Sequence, residues 1–120
     1  MTEIHRSHTN ARISKVVCHG DYIYLCGQTA AGGENAGADI TTQTVETLSR
    51  IDALLAEVDS DRSRILSATV YLRDMNDFAA MNVTWEAWIT PDNAPARTTV
   101  EARLALPSLL VEVTVIAARR

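Results

Sequence analysis

Lysine is nearly missing from this chain: Lys15 stands alone beside ten arginines, and 15 acidic residues outnumber 11 basic ones for a formal net charge of -4. No stretch concentrates positive charge, which speaks against binding a nucleic-acid phosphate backbone. Cysteine is scarce too. Cys18 and Cys26 are too few for a disulfide framework and lack metal-ligand spacing, while His5, His8 and His19 are scattered, so no metal site is expected. No apolar run approaches the roughly 18 residues that span a bilayer. The opening M-T-E-I-H-R-S-H has no apolar secretory core, so a cytoplasmic protein without a membrane partner is expected. Biased tracts, linkers and repeats are also lacking, and 120 residues with 47% apolar content fit one domain, residues 1–120.

What is present reads as a succession of short elements. Val16 to Cys18 and Tyr22 to Gly27 flank His19-Gly20-Asp21, which predicts a hairpin with a glycine turn. Such a hairpin sets Cys26 across from about Lys15, too far along the ladder from Cys18 for a disulfide, so both thiols are expected free. A Gly/Ala-rich loop follows at 29–38. Asp39 or Thr41 can then cap a helix whose stripe is Val45, Leu48, Ile51, Leu55 and Val58. Residues 65–73 alternate Leu66, Ala68, Val70 and Leu72 against Ser67, Thr69, Tyr71 and Arg73, the pattern of a strand. Asp74, Asn76 and Asp77 offer caps for a second helix with Phe78, Met81, Trp85 and Trp88 as its stripe. Strands at 98–104 and 110–118 complete a β-β-α-β-α-β-β order. Two singly striped helices are satisfied by lying together on one face of an antiparallel or mixed sheet, an α+β fold.

The opposite sheet face carries the chemistry. Val111, Val113 and Val115 suit the helices, which sends Glu112, Thr114 and Ile116 to the other side. Taking Val100, Ala102 and Leu104 as helix-facing sends Arg97, Thr99, Glu101 and Arg103 there as well, with Tyr22, Tyr24 and Cys26 beside them. A face mixing Tyr, Ile and Thr with Arg and Glu suggests a subunit interface with polar pockets. Glu112 interrupts an apolar strand, where a carboxylate is costly without a donor. Arg97 has the forked donors that grip a carboxylate. Spacing alone favours structural ion pairs for both residues, Glu112 with Arg103 for instance.

C-G-Q at 26–28, A-T-V-Y-L-R-D-M-N-D-F-A-A-M-N at 68–82, A-P-A-R-T-T-V-E-A-R-L at 94–104 and V-E-V-T-V-I-A-A-R-R at 111–120 together resemble the RidA (YjgF) family over nearly the whole chain. W-E-A-W at 85–88 and I-D-A-L-L-A-E at 51–57 look closer to its YoaB-like branch. The resemblance implies a chorismate-mutase-like fold, a homotrimeric barrel with helices outside, and ligand clefts between subunits. It further implies hydrolysis of enamine and imine products of the 2-aminoacrylate type to 2-keto acids and ammonia, with no cofactor. On that resemblance Arg97 holds the substrate carboxylate and Glu112 positions the attacking water, while Gly27, Cys26, Asn82 and Thr99 line the ligand site. Cys26 replaces the family serine, Thr99 its cysteine, and Ile13 the tyrosine of an upstream motif. The alternatives are a non-catalytic trimer binding small carboxylates or a partner protein, and a different C–N hydrolase on the same fold.

Overall fold

The computed structural model describes residues 3–120 and confirms the α+β class. Its strands are β1 (Ile4–Thr9), β2 (Ser14–His19), β3 (Tyr22–Leu25), β4 (Ile65–Leu72), β5 (Ala96–Glu101) and β6 (Val111–Ala118). The helix α1 (Ile40–Glu57) joins β3 to β4, and α2 (Phe78–Trp88) joins β4 to β5. One six-stranded sheet results, in the order β1-β2-β3-β6-β4-β5, antiparallel except where β5 runs parallel to β4.

Local chemistry sets the elements. Gly20 turns the β2–β3 hairpin with φ of 61°, in the left-handed region that glycine enters without steric cost. His19 then pairs with Tyr22, and the Cys26 amide donates to the Lys15 carbonyl at 2.9 Å, as the hairpin reading requires. Both cysteines are free. The Asp39 carboxylate caps α1 by accepting from the Thr42 amide at 2.8 Å. The helix stops where Asp59 enters the left-handed region and the Ser60 amide returns to the Leu55 carbonyl, closing the last turn.

The core lies between the helices and one sheet face. Val111, Val113, Val115 and Ala117 of β6, Val70 and Leu72 of β4, and Ile23 of β3 meet Leu48, Ile51 and Leu55 of α1 and Met81, Trp85 and Trp88 of α2. Each large side chain so buried contributes roughly 1.5–3 kcal/mol by leaving water.

Four expectations need correction. A sixth strand precedes the hairpin: β1 is an edge strand solvated on both faces, so I-H-R-S-H-T carries no alternation. In β4 an irregular register between Ile65 and Ser67 makes Leu66 the extra residue; Ile65 enters the core and Leu66 stands 46% exposed. Val45 lies outside the α1 stripe and is 54% exposed, its expected place being taken by buried Gln43, Thr44 and Thr47. The strand expected at 98–104 starts at Ala96 and ends at Glu101, with its faces exchanged. Parallel pairing sets Arg97 beside Ala68, Thr99 beside Val70 and Glu101 beside Leu72, so these three face the helices and Val100 faces away.

Candidate functional site

On the sheet face opposite the helices, Glu112 rises from β6 as that strand's second residue, directly across from Tyr71 of β4. Between the Tyr24–Ile116 and Gln28–Val113 pairs, three residues of one chain segment, Leu25 to Gly27, face only two of β6, Thr114 and Val115. That extra residue brings Gly27 under the Glu112 side chain. A β-carbon at position 27 would lie 2.8 Å from Glu112 Cδ and overlap its Oε2, so this carboxylate position requires glycine. Gly27, Tyr71, Ala102, Arg103, Leu104, Glu112 and Thr114 enclose an open cleft of about 390 Å³. Among the described residues Glu112 forms no ion pair and accepts no side-chain hydrogen bond, so the pairing with Arg103 is absent.

Cys26 borders this corner. Its half-buried thiol donates to the Gly27 carbonyl at 3.7 Å and receives the Gln28 amide at 3.4 Å. Burial pushes the thiol pKa up, against the opposing pull of Lys15, so Cys26 rests as a neutral thiol and not as a nucleophilic thiolate. The far wall is the segment leaving β5. Its course is fixed by Arg73, whose guanidinium donates to the carbonyls of Leu104, Leu106 and Leu109 at 3.4, 2.8 and 2.8 Å. Fully buried Gln43 adds bonds to Ser108 O and Leu110 N, each 2.9 Å.

Arg97 is elsewhere. Its guanidinium lies over the Trp85 ring at 5.1 Å and the Phe78 ring at 5.9 Å, with Nη1 3.9 Å from Met81 Sδ. Such stacking against α2 is worth about 0.5–2 kcal/mol. Burial lowers the Arg97 pKa while Glu86 acts to raise it, and among the described residues no carboxylate pairs with it. Thr99 shares this side, its buried Oγ1 without a hydrogen-bond partner. Asn82 falls one helical turn after Phe78 and one before Glu86, on the same flank of α2.

The six expected site residues therefore form two groups on opposite sides of the sheet. Glu112, Gly27 and Cys26 gather at the cleft; Arg97, Thr99 and Asn82 gather at α2 and the β5 edge. The expectation that Arg97 and Thr99 share a face with Glu112 is overturned by the parallel register of β5. Ile13 stands in the β1–β2 turn and does not line the cleft. Alternation already placed Tyr71, Thr114 and Arg103 on the second face; their convergence on Glu112 depends on strand order, which no local pattern carries. A separate depression between α1 and α2 holds the Asp52–Arg62 pair, and Asp52 also accepts from Trp88 Nε1 at 3.0 Å. Its carboxylate is satisfied within the fold.

Known proteins resemble this chain along nearly its full length. The family model described as Endoribonuclease L-PSP matches residues 3–119. The RutC family protein YoaB of Escherichia coli K12 is 45% identical over 113 residues, covering 94% of this chain and 96% of the relative. A protein of the same organism named 2-iminobutanoate/2-iminopropanoate deaminase is 35% identical over 105 residues, covering 84% of this chain and 82% of that one. Among solved structures, NMB1025 from Neisseria meningitidis, described as a member of the YjgF protein family, superposes with a TM-score of 0.90 at 42% identity, covering 98% and 96% of the two chains.

Proposed function

The chain belongs to the RidA (YjgF) family, and on that premise we propose that it is an enamine/imine deaminase converting small 2-imino acids to 2-keto acids and ammonia, without a cofactor, at sites completed between the subunits of a homotrimer. The observation that carries this reading is the Glu112 carboxylate, unpartnered among the described residues and held over Gly27 at the wall of a cleft wide enough for water and a small ligand.

The substrate presents a carboxylate and an electrophilic C=N carbon. Arg97 grips the carboxylate through its fork. Glu112 accepts a proton from water as the oxygen bonds to the carbon and the C=N electron pair moves onto nitrogen. That proton passes to nitrogen to give a carbinolamine; Glu112 then takes the hydroxyl proton as C=O forms and delivers it to nitrogen, so the C–N bond breaks and ammonia leaves. Because Arg97 and Glu112 lie on opposite sides of one sheet, a single small substrate meets both only where two copies join. The second face supplies a reason to join: Tyr22 and Tyr24 are 52% and 45% exposed, Ile116 and Leu66 lie beside them, and Val100 is exposed on the same face farther across the sheet, on β5. Such an apolar sheet face is usually covered in the working assembly.

The test is the rate of keto-acid and ammonia appearance from an imine generated in situ by a dehydratase, with wild type and Glu112→Gln. Wild type is expected to accelerate hydrolysis, and the variant to keep its assembly and keto-acid affinity while slowing by on the order of a hundredfold. Keto-acid binding without acceleration by wild type would favour the non-catalytic carboxylate binder.

A further inference from the structure

The Glu112 cleft contains a second charge that the deaminase reading leaves unused. Arg103 lines the cleft with Glu112, yet among the described residues neither forms an ion pair, with each other or with any other group. A guanidinium placed to neutralise Glu112 would close onto it. Here the two groups sit on an open volume walled by Tyr71, Thr114, Ala102 and Leu104.

Arg103 is presented from fixed backbone. Before it, the Ala102 amide donates to the Leu72 carbonyl at 2.9 Å. After it, the Leu104 carbonyl accepts from Arg73, which also ties down Leu106 and Leu109. A long charged side chain rooted between two anchored residues has fewer backbone states to lose on meeting a ligand.

We propose that Arg103 is a specificity-determining residue of this cleft, selecting 2-imino and 2-oxo acids that carry a second carboxylate on their side chain. The inference rests on the deaminase reading: with the first carboxylate on Arg97 of a neighbouring copy and the C=N carbon at Glu112, the rest of the substrate shares the one cleft that Glu112 and Arg103 both line. A methyl or ethyl group there leaves the guanidinium to water. A carboxylate meets forked donors matched to its geometry. It also needs them, because an added negative charge near unpaired Glu112 would otherwise be repelled.

Calorimetric titration of pyruvate and of 2-oxoglutarate into wild type, Arg103→Ala and Arg103→Gln tests this, with assembly checked by light scattering. Wild type is expected to bind 2-oxoglutarate about tenfold or more tighter than pyruvate. Both variants are expected to lose that preference while binding pyruvate as wild type does. Equal wild-type affinities, a preference that survives both substitutions, or variants that lose pyruvate as well would overturn the inference. None of those three results touches hydrolysis of monocarboxylic imines, which the coupled assay reads separately. Conversely, an Arg103-dependent preference in a protein that hydrolyses no imine supports the dicarboxylate site and sinks the deaminase reading alone.

Discussion

Gly27 and Glu112 compete for one volume: the carboxylate occupies the space that any side chain at position 27 would fill. Gly27 has no positive φ, so alanine there brings no backbone strain, and the clash falls on the movable end of one side chain. Gly27→Ala should therefore fold with stability within about 1 kcal/mol of wild type. It should also lose activity as heavily as Glu112→Gln, on the order of a hundredfold. The double variant should be no worse than either single one, since both act on one group. Thermal melts and imine-hydrolysis rates check this; additive losses would separate Gly27 from Glu112.

Arg97 should govern ligand affinity. Calorimetry with pyruvate is expected to show binding weakened at least about tenfold in Arg97→Ala, from the loss of charge-assisted bonds. Arg97→Lys should rescue little, because an ammonium cannot reproduce a planar fork that also stacks on Trp85 and Phe78. Unchanged affinity in both variants would remove Arg97 from the site.

The exposed tyrosine face should be an interface. Light scattering of wild type at micromolar concentration is expected to give three times the chain mass of 13.1 kDa. Tyr24→Asp, which puts a charge into the centre of that face, should yield a smaller species with intact secondary structure by circular dichroism and no imine hydrolysis. A trimer that survives the Tyr24→Asp substitution would place the contact elsewhere.

Acid should loosen the 29–38 loop. Glu46 accepts from Asn35 Nδ2 and Arg50 Nε at 3.0 Å each, and Arg50 Nη1 in turn holds the Thr29 and Ala31 carbonyls at 2.8 Å. The Asn35 and Arg50 hydrogen bonds lower the Glu46 pKa from its ordinary 4.5. A depressed carboxylate pKa contributes stability that is present above the ordinary value and lost as pH falls through the lowered one. Amide exchange in the loop, corrected for intrinsic rates, should speed up below pH 4.5 in wild type. In Glu46→Gln it should be fast already at neutral pH; loop protection independent of both would refute this clamp.

Legibility in the sequence follows the range of the interaction. The Gly20 turn, the Asp39 cap and the Val111–Val113–Val115 alternation each depend on residues within a few positions, and each is where local pattern puts it. The faces of β5 depend on more. Assigning Val100 to the core assumes that apolar side chains point inward, but this sheet has two apolar faces, one under the helices and one open, and Val100 belongs to the open one. The same assumption misplaces Arg97, since a cation that stacks on Trp85 and Phe78 satisfies the helix side without being apolar. The bulge at Leu66 and the Gly27–Glu112 approach arise from pairing between distant strands, which no window of sequence contains.

The clasp formed by Arg73 has a consequence for how this site can change. Its three bonds end on carbonyl oxygens, which every residue possesses, so the fold holds the wall of the cleft without regard to which side chains that wall displays. Positions 103 and 104, which line the cleft, can exchange charge for bulk, or bulk for hydroxyl, while their backbone keeps its course. Selectivity is thereby uncoupled from architecture: one arginine just past the end of β4 maintains a template on which new substrate preferences can be written one residue at a time.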